Sequence, residues 1–114
     1  MERELFNDRL AVLEKLFQRS ALELSEIDVP VIFDVGYWTA EHRAAALKWG
    51  RQNSLVCEMH FLDTPFKICK QRATERNSSY DSEFYEMTPQ MLEMFWSWFE
   101  VPGPTEGVLR VSRT

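Results

Sequence analysis

Two arginines, Arg72 and Arg76, carry the clearest chemical signal in this sequence, because they stand four positions apart in a segment that favours a helix. This spacing places both guanidinium groups on one side of the helix, which costs roughly a few tenths of a kcal/mol unless an anion lies between them. Arginine offers planar, bidentate donors that suit phosphate oxygens and can also stack on a base. The pair therefore predicts a polyphosphate-binding surface, and the alternative is a solvated basic side of a helix that Glu75 partly neutralises.

Asp34 and Arg43 are the other candidates for chemistry. Asp34 follows the apolar run Val29–Phe33, a pattern by which nucleotide hydrolases and kinases hold Mg²⁺ or its water. The alternative for an isolated aspartate at this place is a turn cap or a surface ion pair. Arg43 falls in the first turns of the helix that follows and could reach the same site, the alternative being an exposed salt bridge with Glu41 or another carboxylate.

The remaining side chains argue against several classes of function. His42 and His60 have no carboxylate or serine partner at a recognisable spacing, and Cys57 and Cys69 suggest neither a zinc site nor a disulfide. A net charge of −5 argues against general binding to DNA or RNA. The chain has no signal-peptide stretch and no apolar run near the roughly 20 residues that span a bilayer, so we expect a cytoplasmic protein.

The elements that must position these side chains alternate between helix and strand. Apolar spacing, capping residues and prolines predict, in order, a helix over Glu4–Ser25, a strand over Val29–Phe33, a helix from Thr39 to Gly50, a strand over Leu55–Leu62, a helix from Pro65, a helix from Thr88–Pro89 to Glu100 and a strand over Val108–Val111. This alternation predicts one α/β domain of 114 residues with a mainly parallel sheet. Ligands in such folds bind at the carboxyl ends of the strands, here beside Asp34 and Asp63.

Taken together, these segments resemble the C-terminal two thirds of the small AAA-type kinases of the P-loop superfamily, relatives of zeta toxins, polynucleotide kinase and chloramphenicol phosphotransferase. The resemblance runs from about Leu10 to Gly107 and rests on order and spacing. It is carried by Val-Ile-Phe-Asp-Val-Gly-Tyr-Trp followed by Glu-His-Arg, by Phe-Leu-Asp-Thr-Pro, by Arg-x-x-x-Arg-Asn and by Phe-Glu-Val-Pro. It implies a three-layer, P-loop NTPase-like α/β fold with helices flanking a mainly parallel sheet.

The resemblance also implies roles for individual residues. Asp34 would be the catalytic carboxylate that lies near Mg²⁺, and Arg76 would contact the phosphates of ATP as a catalytic and nucleotide-binding residue. Arg72 and Asn77 would lie nearer the base, and Arg43 would contact the acceptor substrate. The segment Ser78 to Glu86 would form part of a lid over the nucleotide.

One motif of these kinases is missing from the sequence. No G-x-x-x-x-G-K-[ST] occurs, so the backbone cradle and the lysine that hold the phosphates are absent. We therefore expect the C-terminal part of an ATP-dependent kinase domain, which is inactive alone and lacks the P-loop strand of its sheet. A preceding segment or a second chain would complete that sheet, unless the strands ending at Asp34 and Asp63 pair directly. The alternative function is a degenerate, non-catalytic α/β module acting in protein–protein interaction.

Overall fold

The computed structural model describes residues 3–79 and 87–112. They belong to two compact units, Met1–Val35 and Gly36–Thr114. The described residues form four helices and two short strands: α1 (Arg3–Ser25), α2 (Ala40–Gln52), β1 (His60–Leu62), α3 (Phe66–Ser79), α4 (Pro89–Trp98) and β2 (Leu109–Val111). The predicted three-layer α/β fold is therefore wrong for this chain, which is mostly helical with one two-stranded sheet in its described part.

The first unit consists of α1 and an extended segment. The predicted amphipathic helix is confirmed and ends in a Schellman arrangement, in which the Val29 amide donates to the Leu24 carbonyl at 3.0 Å and the Asp28 amide to the Ser25 carbonyl at 3.1 Å. Asp28 occupies the left-handed position of this motif with φ 58°. The turn releases the chain from the helix and starts the extended segment.

The predicted buried strand Val29–Phe33 is not formed. No strand is assigned over these residues, and the side chain of Ile32 is 93% exposed. Branched apolar residues favour a strand only where a neighbouring strand supplies backbone partners and a surface to pack on. The prediction failed because it assumed such a neighbour.

The second unit begins with α2, whose first turn is capped as predicted by Thr39. The Thr39 hydroxyl accepts a hydrogen bond from the His42 amide at 3.1 Å. The helix ends in another Schellman arrangement, in which the Leu55 amide donates to the Gly50 carbonyl at 2.9 Å and Ser54 takes a positive φ of 57°. After this helix end the chain continues as the extended segment that leads to β1.

The sheet consists of β1 and β2 paired in parallel, with Phe61 opposite Arg110. The parallel direction was predicted correctly, whereas the predicted strand Leu55–Leu62 is reduced to its last three residues. The paired length is set by β2, which is equally short. Among the described residues no third strand lies beside β1, and a ladder extends only as far as its partner does.

Aromatic side chains hold the second unit together. Trp38 packs on Phe95 and Trp98 with ring centroids 5.5 and 6.3 Å apart. A second group lies between the sheet and the helix pair, with Phe66 on Trp96 at 5.0 Å and Phe61 on Phe99 at 5.5 Å. These contacts pack the aromatic side chains of α4 on their neighbours, but no residue of α4 is buried and Trp96 is 40% exposed, so its role as core stays a prediction.

Candidate functional site

The Arg72–Arg76 pair lies on α3, one helical turn apart, and both side chains are exposed. Neither guanidinium group makes a hydrogen bond or ion pair with any residue in the described part of the chain. Glu75, the expected neutralising group, accepts a hydrogen bond from Gln71 at 3.2 Å. The structure thus presents two neighbouring positive groups whose donors are free to bind an anion.

An adjoining side of α3 packs against α4. Ala73 is 8% exposed and belongs to the buried side. Lys70 pairs with Glu93 at 3.3 Å and lies 6.0 Å from the ring centroid of Phe66. The two sides of α3 therefore have different roles, as the sequence predicted: one contacts the rest of the unit and the other carries the arginines to solvent.

Asn77 ends the arginine-bearing stretch and is held by the backbone of Met87. Its side-chain Nδ2 donates to the Met87 carbonyl at 2.7 Å, and its Oδ1 accepts from the Met87 amide at 3.0 Å. Both halves of the amide are used by these bonds. The predicted role of Asn77 at the base of a nucleotide stays a prediction, and a base would have to share this amide with Met87.

Arg43 is enclosed, only 2% exposed, and its donors already have partners. The guanidinium group donates to both carboxylate oxygens of Glu106, at 2.8 and 3.3 Å, and to the Tyr37 carbonyl at 2.9 Å. It also lies 5.9 Å from the ring centroid of Phe99. The alternative salt bridge with a carboxylate is therefore present, but it joins Arg43 to Glu106 rather than to Glu41, and Arg43 is buried rather than exposed. The predicted contact between Arg43 and the phosphoryl-acceptor substrate stays a prediction, and that substrate would have to displace Glu106 from Arg43.

Glu106 is fixed from two directions. Besides Arg43, the Gly103 amide donates to its carboxylate at 2.8 Å. The hydrogen bond from Arg43, followed by that from Gly103, holds the pKa of Glu106 below its ordinary value of 4.5. The carboxylate therefore stays charged to a lower pH than an ordinary glutamate, and it ties the turn after α4 to α2.

The two predicted strand-end aspartates have different surroundings. Asp34 is exposed and belongs to the first unit, at the end of the extended segment. Asp63 follows β1 and is engaged: its amide donates to the Val111 carbonyl at 2.8 Å, and its carboxylate accepts from Arg110 at 2.9 Å. Arg110 also lies 5.3 Å from the ring centroid of Phe61. Through Arg110 and Val111, Asp63 therefore helps to join β1 to β2.

The predicted magnesium ligand is a single carboxylate. Within residues 3–79 and 87–112, no group of three or more histidine, cysteine, aspartate or glutamate side chains is gathered as a metal site. Mg²⁺ keeps most of its water and is commonly held by one or two carboxylates together with substrate phosphates. The donor set around Asp34 therefore fits Mg²⁺ only when a bound nucleotide supplies phosphate oxygens.

The sequence reasoning missed the roles of Glu106 and Arg110. Glu106 lies 63 positions from Arg43, and Arg110 lies 47 positions from Asp63. No local spacing signals pairs so far apart. The predicted lid segment Ser78 to Glu86, apart from the last two residues of α3, lies outside the described residues.

Comparison of the chain with models of protein families, with characterised proteins and with solved structures gives no match. Across the part of the chain that the structure describes, no helix combines the length and apolar character needed to cross a bilayer. Function is therefore inferred from the residues and contacts described above.

Proposed function

We propose that this chain binds the phosphates of ATP through Arg72 and Arg76, as the arginine-bearing part of an ATP-dependent kinase related to the P-loop kinases. The observation that carries the proposal is the exposed arginine pair on α3, which has no anionic partner among the described residues. Two guanidinium groups one turn apart repel each other, and a polyphosphate relieves this repulsion while accepting several charge-assisted hydrogen bonds. The acceptor would be a small molecule or the end of a nucleic acid.

The proposed division of labour follows from what the sequence lacks. It contains no glycine-rich phosphate loop, so the backbone cradle and its lysine must come from another segment. This chain would contribute phosphate contacts from Arg72 and Arg76, and the other phosphate-binding groups would come from that segment. Phosphoryl transfer depends mainly on positioning and electrostatics, so we expect the 114-residue chain alone to transfer no phosphate.

The proposed compartment is the cytoplasm, where ATP is available. Both cysteines, Cys57 and Cys69, are free thiols, which fits a reducing compartment. The proposed partner is the polypeptide segment that carries the phosphate cradle.

A thermal-shift titration with Mg-ATP tests the nucleotide proposal. A ligand present at a hundredfold over its Kd stabilises the folded chain by about 2.7 kcal/mol, so the Tm should rise with concentration. Arg76→Ala should remove most of the shift. Arg51→Ala is the matched control, because Arg51 is an exposed arginine on α2 whose loss changes the net charge equally. Equal loss in both variants, or no shift in the wild-type chain, would contradict the proposal.

A second candidate function is protein–protein interaction, and it is favoured by the open edge of β1. The Leu109 amide donates to the Met59 carbonyl and the Asp63 amide to the Val111 carbonyl, so these residues face β2. The alternate residues His60 and Leu62 direct backbone groups to the opposite edge, where the Leu62 carbonyl accepts from the Thr64 amide at 3.0 Å. The Leu62 side chain is also exposed, at 64%, and a strand edge of this kind can accept a strand from another chain.

Sedimentation at increasing protein concentration separates this second candidate from the first. Self-association that Leu62→Lys abolishes, together with no response to Mg-ATP, would favour the interaction function. Val12→Lys is the matched control, because Val12 is 68% exposed and belongs to α1 rather than to the sheet. Equal effects of both lysine variants would point to general stickiness of apolar side chains rather than to a strand interface.

A further inference from the structure

Asn77 joins the end of α3 to the start of α4 through one planar amide. The two hydrogen bonds to Met87, at 2.7 and 3.0 Å, connect residues ten positions apart. An asparagine side chain offers one donor and one acceptor side by side, which matches the carbonyl and the amide of a single backbone residue. Alanine satisfies neither group, and aspartate satisfies only the Met87 amide while placing negative charge against its carbonyl.

Because Asn77 lies next to Arg76 on α3, its bonds to Met87 affect how Arg76 is held. The helix ends at Ser79, so Arg76 and Asn77 both belong to its last turn. The last turn of a helix frays readily, because its final carbonyl groups have no partner within the helix. A tertiary bond at Asn77 opposes this fraying and keeps Arg76 in helical register with Arg72.

The first residues of α4 add a second fixed point beside Asn77. Thr88 follows Met87 and caps α4, its hydroxyl accepting from the Met91 amide at 3.2 Å. The cap secures α4 but makes no bond to α3. Thr88 and Asn77 therefore stabilise neighbouring parts of the same junction, and only Asn77 acts on the turn that carries Arg76.

We infer that Asn77 is a positioning residue, which holds the last turn of α3 so that Arg72 and Arg76 present their guanidinium groups to one phosphate-bearing ligand. This inference rests on the proposed function and changes the part of Asn77 within it, from a contact with the base to a support for the neighbouring arginine. Both functional groups of the Asn77 amide are bonded to the backbone of Met87. Its substitution should weaken phosphate binding although Asn77 touches no phosphate.

The ligand arm of the test compares Asn77→Ala with Thr88→Ala by calorimetric titration with Mg-ATP. Both variants lose side-chain bonds to backbone at the same junction and should lower the Tm. Asn77→Ala should weaken the affinity about tenfold, the effect of losing roughly one charge-assisted hydrogen bond, whereas Thr88→Ala should change it less than about twofold. The double variant Asn77→Ala/Arg76→Ala should bind no more weakly than Arg76→Ala. Equal weakening by the two single variants, or additive losses in the double variant, would overturn the inference.

The second arm measures amide hydrogen exchange without ligand. In Asn77→Ala the Met87 amide and the amides of the last turn of α3 should exchange faster, whereas in Thr88→Ala these amides should keep their protection and Met91 should lose it. Unchanged protection of Arg76 and Met87 in Asn77→Ala would overturn the positioning role. Wild-type protein that fails to bind Mg-ATP would instead refute the proposed function, while this arm still decides whether Asn77 orders the turn.

Discussion

Replacing Gly50 with alanine tests how α2 is seated against the segment that leads to β1. Glycine inside a helix is less stable than alanine by about 0.5–1 kcal/mol, so the substitution would ordinarily stabilise α2. Here a Cβ at position 50 would lie 2.5 Å from the Cys57 Sγ and 3.3 Å from the Cys57 Cβ. Overpacking of this kind costs about 1–3 kcal/mol, so we expect Gly50→Ala to destabilise the protein by about 1 kcal/mol.

In a double-variant cycle with Cys57→Ala, the effect of Gly50→Ala on the free energy of unfolding should change sign. Cys57→Ala removes the Sγ atom, after which the helix preference should dominate and Gly50→Ala should stabilise by about 0.5 kcal/mol. Urea unfolding of the four proteins gives these free energies of unfolding, provided that the m values agree. Lys48→Ala, on an exposed position of α2, should stay within about 0.5 kcal/mol as a control. Stabilisation by Gly50→Ala in the wild-type background would refute the close approach of Cys57 to α2.

Three further predictions concern charge, packing and exposure. Because the pKa of Glu106 is lowered, the contribution of Glu106 to stability is present above the ordinary value of 4.5 and is lost as the pH falls through the folded-state pKa. Glu106→Gln should therefore lower the Tm at neutral pH and make the Tm fall less steeply below pH 4.5. A parallel fall of the Tm in the variant and the wild-type protein would contradict this. Ala73→Leu should cost about 1–3 kcal/mol in urea unfolding, because Ala73 lies on the buried side of α3, and a neutral result would contradict that packing. Val56→Thr should stay within about 0.5 kcal/mol, because Val56 is fully exposed, and a larger loss would reveal an interaction at this side chain.

Local signals were read correctly from the sequence because they depend on a few neighbouring residues. Thr39 and Thr88 were predicted to cap helices, and each hydroxyl accepts a hydrogen bond from the backbone amide three residues further on. The four-residue spacing of Arg72 and Arg76 likewise predicted that both lie on one side of α3. In each case the geometry of one helical turn decides the outcome.

Non-local structure could not be read in this way. Val29–Phe33 and Leu55–Leu62 have the composition of strands, but a strand exists only where another strand pairs with it, and here β2 supplies pairing for three residues. The partner of Arg43 is Glu106, which stands 63 positions away and carries no spacing signal. The helices followed from periodicity, whereas the sheet and the ion pairs required the folded chain.

The central claim is that Arg72 and Arg76 bind the phosphates of a nucleotide, and paramagnetic broadening of NMR signals by Mn²⁺-ATP tests it most directly. A manganese ion on the triphosphate broadens the signals of nearby nuclei, so the binding site is located without reference to affinity or stability. We expect the strongest broadening at the side-chain signals of Arg72 and Arg76, and much less at Arg51 on α2. Broadening centred elsewhere, or equal at all three arginines, would contradict the claim.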